Sequence, residues 1–133
     1  MITKEERNTL IEYRLQQAKE TIEEAQILIN LKKYRASVNR IYYGMFYSIL
    51  ALSLKYDFET SKHQRLIGWF NKNFVNAKKL DFKYGKMINN AFNKRLSGDY
   101  DTFIEFTEND ILSLLNDMKD FIAAIENFIN SVK

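Results

Sequence analysis

The chain is expected to be all-α, an antiparallel up-and-down bundle of four to five helices. Three observations carry this expectation. The 133 residues include no proline and only four glycines, so little punctuates the chain into short elements. Apolar residues make up 46% of it and recur at helical spacing through most of its length. The breaks between these stretches are short, and short connections force neighbouring helices to alternate direction. The length is that of one domain with a real core, so residues 1–133 are expected to form a single helical domain.

The first helix is predicted over residues 4–31. Thr3 with Glu6 three places on is a capping-box signature, and Leu10, Ala18, Thr21, Ile22, Ala25, Leu28 and Ile29 form one face. "LKKYR" is a short polar break. The second helix, over 34–55, is apolar on most sides from Ile41 onward. Such a helix lies at the centre of a bundle or under a second subunit. Gly44 inside it costs about 1 kcal/mol against alanine, offset most easily where another backbone comes close.

"YDFETSKHQ" is the next turn. Ser61 with Gln64 is a second capping pair, placing the start of a third helix at Lys62, with Leu66, Ile67, Phe70 and Phe74 as its stripe. "NAKKLDF" breaks the pattern. A fourth helix follows over 82–96 through Met87, Ile88, Ala91 and Phe92, with Gly98 as its C-terminal cap. "DYDTFIEFT" reads as a loop. Thr107 with Asp110 opens the last helix, whose face from Ile111 through Leu114, Leu115, Met118, Phe121, Ile122, Ile125 and Phe128 to Ile129 is the cleanest periodicity in the chain. No strand, repeat or low-complexity tract is evident.

Composition excludes several chemistries. With no cysteine there are no disulfides, thiolate metal sites or cysteine nucleophile. One histidine is too few for a di-metal helical bundle or a conventional zinc site, and no glycine-rich phosphate loop is present. No metal and no cofactor are expected. "MITKEERNTLIEYR" is charged where an export signal needs an apolar run, and the apolar stretch 41–54 is too short to span a bilayer. A soluble, cytoplasmic protein without membrane contact is expected.

The net charge of +3 conceals a gradient. Residues 1–61 hold nine basic and eight acidic side chains. Residues 62–95 hold nine basic against Asp81 alone, or +8, and residues 96–133 hold two against eight, or −6. A basic middle attracts polyanions such as RNA or nucleotides. Alternatively, the two halves neutralise one another within the fold or across a dimer.

Three polar spots stand out. Asn39 and Arg40 share a helical face with Tyr43 and Tyr47, an arrangement that can clamp phosphate or simply pair Arg40 with Glu23 or Glu24 of the first helix. His63 opens the third helix, either as a general base or phosphate contact or as an ordinary first-turn residue. Arg95, Asp99 and Tyr100 lie in "RLSGDYD", where Arg95 either serves a site or pairs with Asp99 or Asp101. A hairpin of helices three and four brings His63 to the Arg95 end. Arg40, about 15 residues before its helix ends, should stand about 23 Å away, giving two polar clusters.

The stretches "ASVNRIYYGMFYSILAL", "SKHQRLIGWFNKNFV" and "RLSGDYD", in that order and at matching intervals, resemble the HEPN superfamily in its small stand-alone branch, over about residues 10 to 125. The resemblance implies a helical bundle, commonly dimeric. It also implies a family that includes metal-independent RNases and toxins, often paired with a minimal nucleotidyltransferase as antitoxin. Active members use an arginine to stabilise the phosphate transition state and a histidine, four to six residues on, for proton transfer at the ribose hydroxyl. Arg95 matches the arginine, but positions 100–102 read Tyr, Asp, Thr and no histidine follows. Asp99 is a poor substitute, because a carboxylate repels phosphate and titrates far below neutrality. Only His63 can repair the pair. Tyr100 stands near the tyrosine that partner nucleotidyltransferases modify.

The leading expectation is therefore a non-enzymatic HEPN module. It would be a homodimer binding a minimal nucleotidyltransferase, a nucleotide or RNA, within a toxin–antitoxin or defence system. Arg40, Tyr43, Asp99 and Tyr100 are its expected binding residues. One alternative is a divergent metal-independent RNase, a toxin, with Arg95 and His63 catalytic. The other is a dimeric adaptor without a polyanion ligand.

Overall fold

A computed structural model describes residues 2–101 and 103–132; Thr102, one of the positions compared with the family motif, lies outside the described residues. Five helices follow one another: α1 (Lys4–Asn30), α2 (Tyr34–Lys55), α3 (His63–Phe70), α4 (Phe82–Tyr100) and α5 (Glu108–Ser131), with a π-helical stretch Asn71–Val75 continuing α3. No strand occurs among the described residues, and no helix among them is long and apolar enough to cross a membrane.

α2 is the central element, packed on α1, α4 and α5, and α1 also meets α5. Ile41, Tyr42, Met45, Ile49, Ala51 and Leu52 are all fully buried. A helix apolar on most sides finds cover within one chain here, so α2 itself gives no reason for a second subunit. At Gly44 an added Cβ would overlap Thr21 Oγ1 of α1 and Met118 Cε of α5. The missing side chain thus lets α1 and α5 close onto α2 from two directions.

The helix ends follow capping chemistry at most places. Thr3 and Glu6 form the expected capping box, and the Thr107 hydroxyl accepts from the Asp110 amide. Two expected ends are corrected. Ser61 does not cap α3: Lys62 is the N-cap without a side-chain bond, and its amide instead donates to Thr60 Oγ1 at 3.2 Å. Gly98 does not terminate α4, which runs on to Tyr100. Arg35, from the first turn of α2, explains this extension. Its guanidinium donates to the carbonyls of Gly98 (2.7 Å), Asp101 (3.1 Å) and Ile104 (2.8 Å), so carbonyls at the helix end gain partners without a left-handed glycine. A Cβ at Gly98 would press on the Phe106 ring at 3.3 Å, so this glycine admits a neighbouring ring.

Candidate functional site

Three helices converge on one polar patch. α2 supplies Tyr42, Tyr43 and Phe46, α3 supplies its first residue, His63, and the last turns of α4 supply Phe92, Arg95 and Asp99. Tyr42 is fully buried, and a buried phenol needs a hydrogen-bond partner. It finds His63, with Tyr42 Oη 2.8 Å from Nδ1. The imidazole stacks on Phe46 at 4.0 Å between ring centres and meets the edge of Tyr43 at 5.7 Å. Among the described residues Nε2 makes no hydrogen bond.

Arg95 approaches the same tyrosines from α4. Its guanidinium carbon lies 5.6 Å from the Tyr42 ring centre and 5.3 Å from that of Tyr43, within cation–π range. Its Nη2 donates to Tyr43 Oη at 3.2 Å, and Nε stands 2.9 Å from Asp99 Oδ2 one helical turn on. That Nε is buried without a well-directed hydrogen bond, so its contact with Asp99 is Coulombic attraction at ion-pair distance.

The electrostatics follow from this crowding. Burial, reinforced by the Arg95 charge, lowers the His63 pKa below the ordinary imidazole value. The ring is therefore neutral near pH 7 and has a lone pair on one nitrogen. Burial raises the Tyr42 pKa against the opposing pull of Arg95, so the phenol keeps its proton. An imidazole held neutral beside a fixed guanidinium can take a proton from a hydroxyl while an anion rests on the cation. Among the described residues no three His, Cys, Asp or Glu side chains gather as a metal-holding group.

The expectation of two separate polar clusters is corrected. Arg40 Cζ lies 5.4 Å from the centre of the same Tyr43 ring, so two guanidinium groups share Tyr43. His63 does not sit beyond the end of α2, as a separation of about 23 Å from Arg40 would require. Instead the chain after Lys55 turns back along α2, and His63 reaches Tyr42 well inside that helix. Arg40 also pairs with Glu24 at 3.6 Å, as the antiparallel α1 allows. Asp99 lies on Arg95, while Tyr100 projects from the last turn of α4 with 78% of its surface exposed. Tyr42 and Phe46 were not singled out from the sequence. Their signal was a tyrosine in a core helix with an aromatic residue one turn on.

The family model described as HEPN domain matches residues 11–128. A "UPF0332 protein" of Thermotoga maritima is 34% identical, with 96% of this chain and 97% of the relative covered. Two proteins of Methanocaldococcus jannaschii are similar at this level. "Putative toxin MJ0142" is 31% identical over 91% of this chain and 82% of its own length. "Putative toxin MJ0605" is 33% identical over 97% and 92%.

Proposed function

The chain belongs to the HEPN domain family, and on that premise we propose that it cleaves RNA at the Arg95–His63 patch, as a toxin-type ribonuclease. The observation that carries this reading is the convergence of Arg95 and His63 on Tyr42 and Tyr43. In this reading His63 of α3 takes the part of the histidine that is absent after Arg95 in the sequence. Two relatives bearing toxin names support the same direction.

In the proposed step Arg95 holds a non-bridging phosphate oxygen. His63 Nε2 accepts the proton of the adjacent 2′-hydroxyl, a role that takes the tautomer carrying its hydrogen on Nδ1, 2.8 Å from Tyr42 Oη. The 2′-oxygen attacks phosphorus, the bond to the 5′-oxygen breaks, and that oxygen leaves with a proton from solvent. The products are a 2′,3′-cyclic phosphate and a 5′-hydroxyl end.

The test is incubation with RNA in EDTA, followed by analysis of the ends. Cleavage leaving cyclic phosphates, lost at least about 100-fold in both Arg95→Ala and His63→Ala, is the expected result. An inert wild-type protein, or variants as active as it, would overturn the reading.

A second reading rests on Asp99, which already neutralises Arg95, and on the exposure of Tyr100. Here the domain binds a minimal nucleotidyltransferase that modifies Tyr100, and the patch is a docking site without turnover. Co-purification with such a partner, transfer of a nucleotide to Tyr100 and no RNA cleavage would favour it. Either reading includes a homodimer, supported by the exposed Leu10, Tyr13, Ile27 and Leu31 of α1 and the adjoining turn. Light scattering that returns the mass of one chain at micromolar concentration would remove the dimer.

A further inference from the structure

We propose that the outer face of the α3–α4 hairpin is a track for single-stranded RNA leading to the Arg95–His63 patch, with Gly68 as the point where the strand presses against the helix backbone. The proposal rests on the ribonuclease reading and names where its substrate lies.

Charge is the first observation. Of the nine basic residues in 62–95, only Lys83 and Arg95 make an ion pair among the described residues, with Asp120 and Asp99. The basic middle is therefore not neutralised by the acidic end of the chain. Arg65 and Lys72 are exposed on α3 and its π-helical continuation, and Lys86 is exposed on α4. Asp81 is the sole acid in the segment. A surface of one sign is what a phosphate backbone requires.

Gly68 is the second. It sits inside α3, exposed, and a Cβ built there meets nothing within 4 Å. Neither packing nor a left-handed backbone angle requires glycine, yet glycine costs about 1 kcal/mol in a helix. An unexplained glycine between Arg65 and Lys72 leaves bare backbone beside two cations, where a ribose–phosphate chain can approach closely.

The third is a stacking surface at the far end of the hairpin. Phe82, the first residue of α4, is 65% exposed and carries Lys86 Nζ 5.0 Å from its ring centre. An exposed aromatic face beside a cation is a platform for an unpaired base. From Phe82 to Arg95 is about 20 Å along the helix at 1.5 Å per residue, room for several nucleotides. Asn71 Nδ2 donates to Asn89 Oδ1 at 3.3 Å, tying the two arms of the hairpin together.

The experiment measures anisotropy of a labelled, non-cleavable 2′-deoxy-substituted oligonucleotide across a salt series, beside cleavage of a ribodinucleotide. The charge-reversed pair Arg65→Glu/Lys72→Glu is compared with Lys4→Glu/Lys32→Glu on other elements. The track pair should lose at least about tenfold in affinity, with a log–log salt slope shallower by about 0.7 per removed contact, and should keep dinucleotide cleavage. Gly68→Gln should melt at or above the wild-type temperature and yet bind the oligonucleotide several-fold more weakly. Equal losses in both pairs, or Gly68→Gln binding as wild type, would overturn the track. If the wild type cleaves nothing while the track variants still lose binding, the ribonuclease reading falls and the track stands.

Discussion

Asp99 decides how Arg95 meets an anion. A carboxylate 2.9 Å from the guanidinium competes with any phosphate for it, and a part-exposed pair of this kind is worth about 1 kcal/mol. Asp99→Asn should therefore bind an oligonucleotide about fivefold more tightly, read by anisotropy at low salt; weaker binding would mean that the carboxylate helps to aim Arg95. His63 adds a dependence on pH. Its lowered pKa means that its contribution to stability is complete above about pH 6.5, the unfolded value. That contribution is lost as pH falls through the folded value, so denaturation midpoints of His63→Gln should fall less than wild type over that window. His63 and Arg95 were singled out from the sequence, because a single histidine and an arginine before a glycine are conspicuous. Tyr42 was not. On a helix apolar nearly all round, adjacent tyrosines at 42 and 43 look alike, and only the fold shows which one meets the imidazole 21 residues away.

Among the elements, α2 was the most legible and its neighbours' ends the least. The periodicity gave α2 and α5 cleanly, since a long apolar pattern has only one way to be buried. Gly44 was expected to admit a close backbone; the atoms that occupy the approach belong instead to the side chains of Thr21 and Met118. Gly44→Ala should destabilise the protein by about 1–3 kcal/mol through overpacking, read as a lower denaturant midpoint with unchanged slope. An unchanged midpoint would mean that α1 and α5 yield easily. The end of α4 was misjudged for a physical reason. Glycine suggests a left-handed stop, but Arg35, 63 residues earlier, holds the Gly98 carbonyl and lets the helix run on to Asp99 and Tyr100. The π-helical stretch Asn71–Val75 also escaped the α-helical pattern. It turns both Phe74 and Val75 inward where strict α spacing predicted Phe74 alone.

Across the whole molecule, the antiparallel bundle was legible from the absence of proline and the short breaks, and the charge gradient from simple counting. The fate of that charge was not, because counting shows no contacts. Among the described residues the acidic end leaves most of the basic hairpin without an ion pair, and the chain between α2 and α3 folds back to gather His63, Arg95 and Arg40 around Tyr43. That gathering is the central claim, and the chain's one histidine makes it directly measurable. The imidazole resonances of His63 followed by NMR through pH should give a pKa below the ordinary value in the wild type. In Arg95→Gln that pKa should rise, since one of the two causes of its depression is gone. An ordinary wild-type pKa that Arg95→Gln leaves unmoved would contradict the shared site.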